Sequence, residues 1–111
     1  MQKLNEFLYI NELLTLYGRL LTSHQQEIMR DYYEFNLSFS EIAENRLITR
    51  AAVSDAITKA TEKLLNYEEA LKLYETKVTL LKDLENLKEK ITDKEIIEEI
   101  ISLERKIKDG I

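Results

Sequence analysis

The residues with chemistry to offer are concentrated in the stretch Phe39 to Lys59, FSEIAENRLITRAAVSDAITK. Two short helical patterns meet there at the turn Asn45-Arg46-Leu47. That is the outline of a helix-turn-helix, in which side chains near the start of the second helix meet base edges while caps and nearby cations meet phosphate. The outward positions of that second helix are Thr49, Arg50, Ala51, Ser54, Asp55, Thr58 and Lys59. Arg50 has the chemistry for a phosphate or a guanine edge, and Arg46 and Lys59 for holding the nucleic-acid backbone. Together with the hydroxyls of Thr49, Ser54 and Thr58 they form the candidate nucleic-acid-binding set. Asp55 would oppose phosphate, and Ala51 offers at most a methyl contact. Over residues 38–65, Glu41, Glu44, Asp55 and Glu62 cancel Arg46, Arg50, Lys59 and Lys63.

Other chemistry is sparse. The single histidine, His24, has Glu27 three residues on, but no second histidine and no cysteine exists to complete a metal site. Carboxylates alternate with lysines along helix faces, as in Glu85, Lys88 and Glu89, a pattern of solvated surface. There is no glycine-rich phosphate loop and no nucleophile with a base at a useful spacing. The expectation is a protein that is not an enzyme and takes neither metal nor cofactor. Tyr32, Tyr33 and Phe35 could stack on bases, but they fall on or beside an apolar helix face, where packing is the simpler role.

The elements that carry these residues are helical. Proline is absent and the only glycines are Gly18 and Gly110, so the chain has little with which to make hairpins. An apolar stripe from Leu4 to Leu21 predicts a first helix over 3–20, with Gly18 near its exit. Thr22-Ser-His-Gln25 and Ser38-Phe-Ser-Glu41 are capping boxes for a second helix ending at Asn36 and a third over 39–45. Thr49 caps the fourth, whose buried face is Val53, Ala56, Ile57, Ala60 and Leu64. Asn66-Tyr67 is a possible kink. Beyond it one ridge holds Leu71, Tyr74, Val78 and Leu81, and another Leu73, Leu80, Leu84, Leu87 and Ile91. A third box, Thr92 to Glu95, starts a last helix over about 93–109, with Ile96, Ile97, Ile100, Ile101, Leu103 and Ile107 inward and Glu98, Glu104 and Lys108 in solvent.

The reading is therefore an all-α protein: a helical domain over 1–66 containing the helix-turn-helix (38–65), then a C-terminal hairpin over 67–111. The hairpin carries more apolar surface than two helices can hide on each other. A partner is expected, most simply a second copy in a homodimer, through Leu71, Tyr74, Val78, Leu81, Leu84, Leu87, Ile97, Ile100 and Ile101. The alternative is that these stripes fold back on the first helix. Net charge is −5, and neither half is basic: 9 acidic against 7 basic residues up to Tyr67, and 12 against 9 after it. Phosphate contacts supply most of the affinity of nucleic-acid binders, so strong DNA binding is not expected. No window suits membrane insertion and the N-terminal pattern is not that of a signal peptide, so a cytoplasmic protein is expected.

Leu16 to Tyr74 resembles the YlxM family of small bacterial helix-turn-helix proteins. The matching residues are Leu20-Leu21-Thr22, Gln25 or Gln26, Tyr32-Tyr33, Leu37-Ser38, Glu41-Ile42-Ala43-Glu44, Arg50, Ala52-Val53, Asp55 and Ile57. The helix-turn-helix is similar to the fourth, promoter-reading region of sigma factors. The resemblance implies a cytoplasmic accessory or regulatory protein of the signal recognition particle pathway, with particle components as partners. Gln, Tyr, Asn and Lys that commonly decorate the family's recognition helix stand here as Ala51, Ser54, Ala56 and Thr58. The other reading is a dimeric transcription regulator, whose recognition helices would lie about 34 Å apart on one face.

Overall fold

A computed structural model describes residues 2–110, which contain helices and no strand. The helices are α1 (Gln2–Tyr17), α2 (Ser23–Tyr33), α3 (Phe39–Arg46), α4 (Arg50–Leu71), α5 (Leu73–Glu89) and α6 (Lys94–Gly110), with a 3₁₀ turn at Gly18–Leu20. The chain divides into two units between Leu71 and Lys72. That boundary lies five residues beyond the expected one after Asn66, because α4 continues through Asn66-Tyr67 to Leu71.

In the first unit α4 is the central post, against which α1, α2 and α3 pack. Leu13, Tyr17, Ile28, Met29, Ile42, Val53 and Leu64 are fully buried. Each such burial is worth roughly 1.5–3 kcal/mol. The reason α4 continues is visible at its far end. The Tyr17 hydroxyl donates to Glu68 Oε1 at 2.6 Å, and the Tyr67 ring lies 5.9 Å from that of Tyr17. Tyr67 Oη also donates to the Leu20 carbonyl at 3.3 Å, so Tyr67 belongs to this core.

Two caps form as their spacing predicts. Thr22 and Gln25, and Ser38 and Glu41, each make both hydrogen bonds of a capping box. The capping hydrogen bonds from Ser38, backbone first, hold the Glu41 carboxyl below its ordinary range. With so few glycines, the exits of α2, α3 and α4 fall on L-residues in the left-handed region: Asn36 (φ 55°), Leu47 (φ 57°) and Lys72 (φ 54°). Asn tolerates this conformation; for Leu and Lys it costs about 1 kcal/mol.

In the second unit α5 and α6 form an antiparallel hairpin. Half-buried Lys77, Leu81, Leu84 and Lys88 on α5 face half-buried Ile97 and Ile107 and buried Ile100 and Glu104 on α6. Two contacts fix the pairing: Lys88 Nζ donates to Glu104 Oε1 at 3.1 Å, and Lys77 Nζ to the Lys108 carbonyl at 3.3 Å. Glu85, then Glu104, hold the Lys88 ammonium above its ordinary pKa.

Glu104, expected in solvent, is thus buried, and Ile96, Ile101 and Leu103, expected inside, are exposed. An ion pair takes a seam position that an apolar side chain could have held. The cap also shifts by one residue: Asp93, not Thr92, accepts the Glu95 and Ile96 amides on Oδ1 at 2.9 and 3.4 Å.

Candidate nucleic-acid interface

The helix-turn-helix is held by α3, the Leu47 turn and the first half of α4. Leu47 N–H and Ile48 N–H both donate to the Ala43 carbonyl, which closes α3 and sets the angle of departure. Thr49 then starts α4: its Oγ1 accepts from the Ala52 amide at 3.0 Å and its carbonyl from the Val53 amide at 3.1 Å. Buried Val53, Ala56, Ile57 and Ala60 hold the inner side of α4. The opposite side therefore presents Thr49, Arg50, Ala51, Ser54, Asp55, Thr58 and Lys59, all exposed. Five of the six candidate nucleic-acid-binding residues share that face.

Arg46 is placed differently. Its guanidinium grips the carboxylate of Asp31 on α2 in a two-pronged contact, Nε to Oδ2 at 2.6 Å and Nη2 to Oδ1 at 3.1 Å. Its third nitrogen, Nη1, donates to Glu27 Oε2 at 2.9 Å. The hydrogen bond to Asp31 is the main cause of a raised Arg46 pKa. Asp31 is only 8% exposed, so removing the arginine would leave a nearly buried carboxylate without its partner. Arg46 is a brace between α2 and the end of α3, and its donors point at carboxylates instead of at a phosphate. Glu27, paired in sequence with His24, is committed to the same brace.

Lys59 pairs with Asp55 one turn back at 3.1 Å, both well exposed, a contact worth a few tenths of a kcal/mol. It can be broken cheaply by a competing anion. Arg50 has no ion pair among the described residues. Ala56, which stands where the resemblance suggested a decorated position, is buried and contributes to packing only.

The sequence reading missed Asp31. The signal was present: an aspartate three residues after Ile28 sits on the inner side of α2, and an acid there implies a buried cation. The reading also missed Leu47, a turn residue that is 92% exposed and puts an aliphatic side chain beside the reading face.

The nine residues expected at a partner interface split in two. Leu71, Val78, Leu87 and Ile101 are exposed. Tyr74 is half-buried, and Leu81, Leu84, Ile97 and Ile100 are spent on the hairpin's own seam.

A sequence family described as "Putative helix-turn-helix protein, YlxM / p13 like" matches residues 4–107. The chain belongs to this family. A UPF0122 protein of Fusobacterium nucleatum subsp. nucleatum is 43% identical over 98 residues, covering 88% of this chain and 94% of its own. One from Clostridium acetobutylicum is 40% identical over 111 residues, covering 94% and 96%. A UPF0122 protein of Ureaplasma parvum serovar 3 is 44% identical over 71 residues, covering 64% and 72%. In this YlxM/p13-like chain no helix among the described residues is long and apolar enough to cross a membrane.

Proposed function

We propose that the protein is an accessory or regulatory binding module of the signal recognition particle pathway, acting by docking on a protein or ribonucleoprotein instead of reading DNA. The pathway rests on the family resemblance. The mode of action rests on one observation: two of the helix-turn-helix cations, Arg46 and Lys59, are paired with carboxylates within the chain. Arg46 is fixed on Asp31 and Glu27, and Lys59 lies on Asp55, which leaves Arg50 as the cation of the reading face. Exposed Leu47 beside that face suits a protein surface better than a phosphate backbone. No step in this reading calls for catalysis. The setting proposed is the cytoplasm.

A second reading, a helix-turn-helix transcription regulator, draws on the exposure of Thr49, Arg50, Ser54 and Thr58 on one helix face. The two separate in a titration of the full chain at low and moderate salt. One arm uses duplex DNA from upstream of its own gene, the other the RNA–protein core of the particle. Binding to the core that survives moderate salt, with weak and unselective binding to duplex, supports the accessory role. Selective, salt-sensitive binding to the duplex alone overturns it.

A further inference from the structure

The α5–α6 hairpin has an apolar side that its own seam does not use. Leu73, Leu80 and Leu87 recur every seventh residue along α5, each one position before the seam residues. Ile96 and Leu103 stand in the same relation to the seam of α6. In an antiparallel helix pair those two flanking rows lie on the same side of the pair. One side of the hairpin therefore presents five large aliphatic side chains, between 37% and 48% exposed.

The charges along the two edges of this side say what covers it. Asp83 and Lys90 border it on α5, and Glu99 and Lys106 on α6. None of the four makes an ion pair or side-chain hydrogen bond among the described residues, whereas Glu85, Lys88 and Glu104 nearby are all paired. The contacts Lys88–Glu104 and Lys77–Lys108 bracket the hairpin register. They put Asp83 level with about residue 105 and Lys90 level with about residue 98, at 1.5 Å rise per residue. Nearer the open end the α5 edge is acidic and the α6 edge basic. Nearer the turn the signs are reversed.

We propose that a second copy of this chain covers that side, the two hairpins facing each other across a twofold axis that runs along their length. This goes beyond the accessory role and stands independently of it. The rotation lays α5 of one copy over α6 of the other, antiparallel. Leu87 then falls between Ile96 and Leu103 of the second copy, and Leu80 lies beyond that Leu103 towards the open end. Asp83 falls beside its Lys106 and Lys90 beside its Glu99, and the symmetry repeats both pairs. A twofold perpendicular to the hairpins' length would also set opposite charges together, Asp83 against Lys90 and Glu99 against Lys106 of the second copy, but it leaves Leu80 and Ile96 without an apolar counterpart. Each face is roughly 25 Å long and 20 Å wide from helix dimensions. Two of them bury about 1,000 Å², the lower limit for a specific interface. The surface is thus of the size that a modest, concentration-dependent dimer requires.

The test is sedimentation equilibrium of the full chain, with helix content checked by circular dichroism. The wild type is expected to be dimeric at about 100 µM, with a dissociation constant in the micromolar range. Asp83→Lys places like charges together twice in each dimer and should weaken association by about tenfold or more. Adding Lys106→Asp to that variant restores opposite charges and should recover most of the loss, which a merely structural effect of Asp83→Lys would not do. Leu80→Asp should give monomers with unchanged helix content. A wild type that stays monomeric at about 100 µM overturns the proposal, because the face then serves another partner. So does a dimer indifferent to both Asp83→Lys and Leu80→Asp, or one that the second charge change fails to recover.

Discussion

At the scale of single residues, two arginines four positions apart have opposite fates. Arg46 and Arg50 flank the same turn and look equally suited to phosphate. Arg46, however, sits opposite a nearly buried Asp31, and the desolvated carboxylate claims it. Arg46→Ala should cost about 2 kcal/mol in urea unfolding, since a charged hydrogen-bond partner is lost. Arg46→Lys should recover little of that, for an ammonium cannot make the two-pronged contact. Arg50→Ala should stay within about 0.5 kcal/mol, as for other exposed positions. An Arg50→Ala variant as damaged as Arg46→Ala would show that the start of α4 is misplaced. A second residue-scale consequence concerns Glu41. Its carboxyl is held below the ordinary glutamate range by the amide it caps, so its contribution is complete at neutral pH and lost as pH falls through that lowered value. Glu41→Gln keeps a neutral acceptor at the cap. The stability gap between wild type and Glu41→Gln should be constant above the ordinary glutamate range and close below it. A gap that does not change with pH would mean the charged form of Glu41 makes no special contact.

At the scale of elements, the starts of α2, α3 and α4 were legible. Thr22, Ser38 and Thr49 all cap where their spacing puts them, because a cap is a local contact written within four residues. Helix ends were less legible. The chain leaves α3 and α4 through Leu47 and Lys72, residues with no preference for the left-handed region, so nothing local marks them. The end of α4 is decided at long range, by Tyr17 reaching Glu68 across 51 residues of sequence. The inward set of α6 was misjudged for a related reason. Periodicity counts apolar residues, and Glu104 is inside only because Lys88 of another helix meets it there. These points give a direct comparison. Asn66→Pro should destabilise the first unit by about 3 kcal/mol, as expected inside a continuous helix. Lys72→Gly should be neutral or stabilising by up to about 1 kcal/mol, since glycine takes the left-handed conformation freely. Tyrosine fluorescence during urea unfolding reports on the first unit through Tyr17 and Tyr67. If proline were tolerated at 66, the break would lie there and the helix through Glu68 would be wrong.

At the scale of the whole molecule, charge decides between ways of binding. The chain carries −5 overall, and its helix-turn-helix contributes no net positive field. Affinity of a helix-turn-helix for duplex rises from counterions released as cations displace them, about 0.9 per phosphate neutralised. On the reading face Arg50 is free and Lys59 can leave Asp55 at little cost, while Arg46 cannot leave Asp31 without exposing that buried carboxylate to loss of its partner. Any duplex binding should therefore show a slope of log affinity against log salt between about −1 and −2 for each helix-turn-helix engaged. Fluorescence anisotropy with a labelled duplex at several salt concentrations measures it. A slope near −4 for one helix-turn-helix would require cations from outside this face, or the release of Arg46. Asp31→Asn tells these apart. With the Asp31 carboxylate neutralised, Arg46 keeps only the ion pair to exposed Glu27, which a phosphate can displace, so the variant should bind duplex more tightly and with a steeper slope while losing stability. If the slope is already steep and Asp31→Asn leaves it unchanged, the cations come from elsewhere. If it steepens by about one unit, the Asp31 brace is what keeps this helix-turn-helix from gripping DNA.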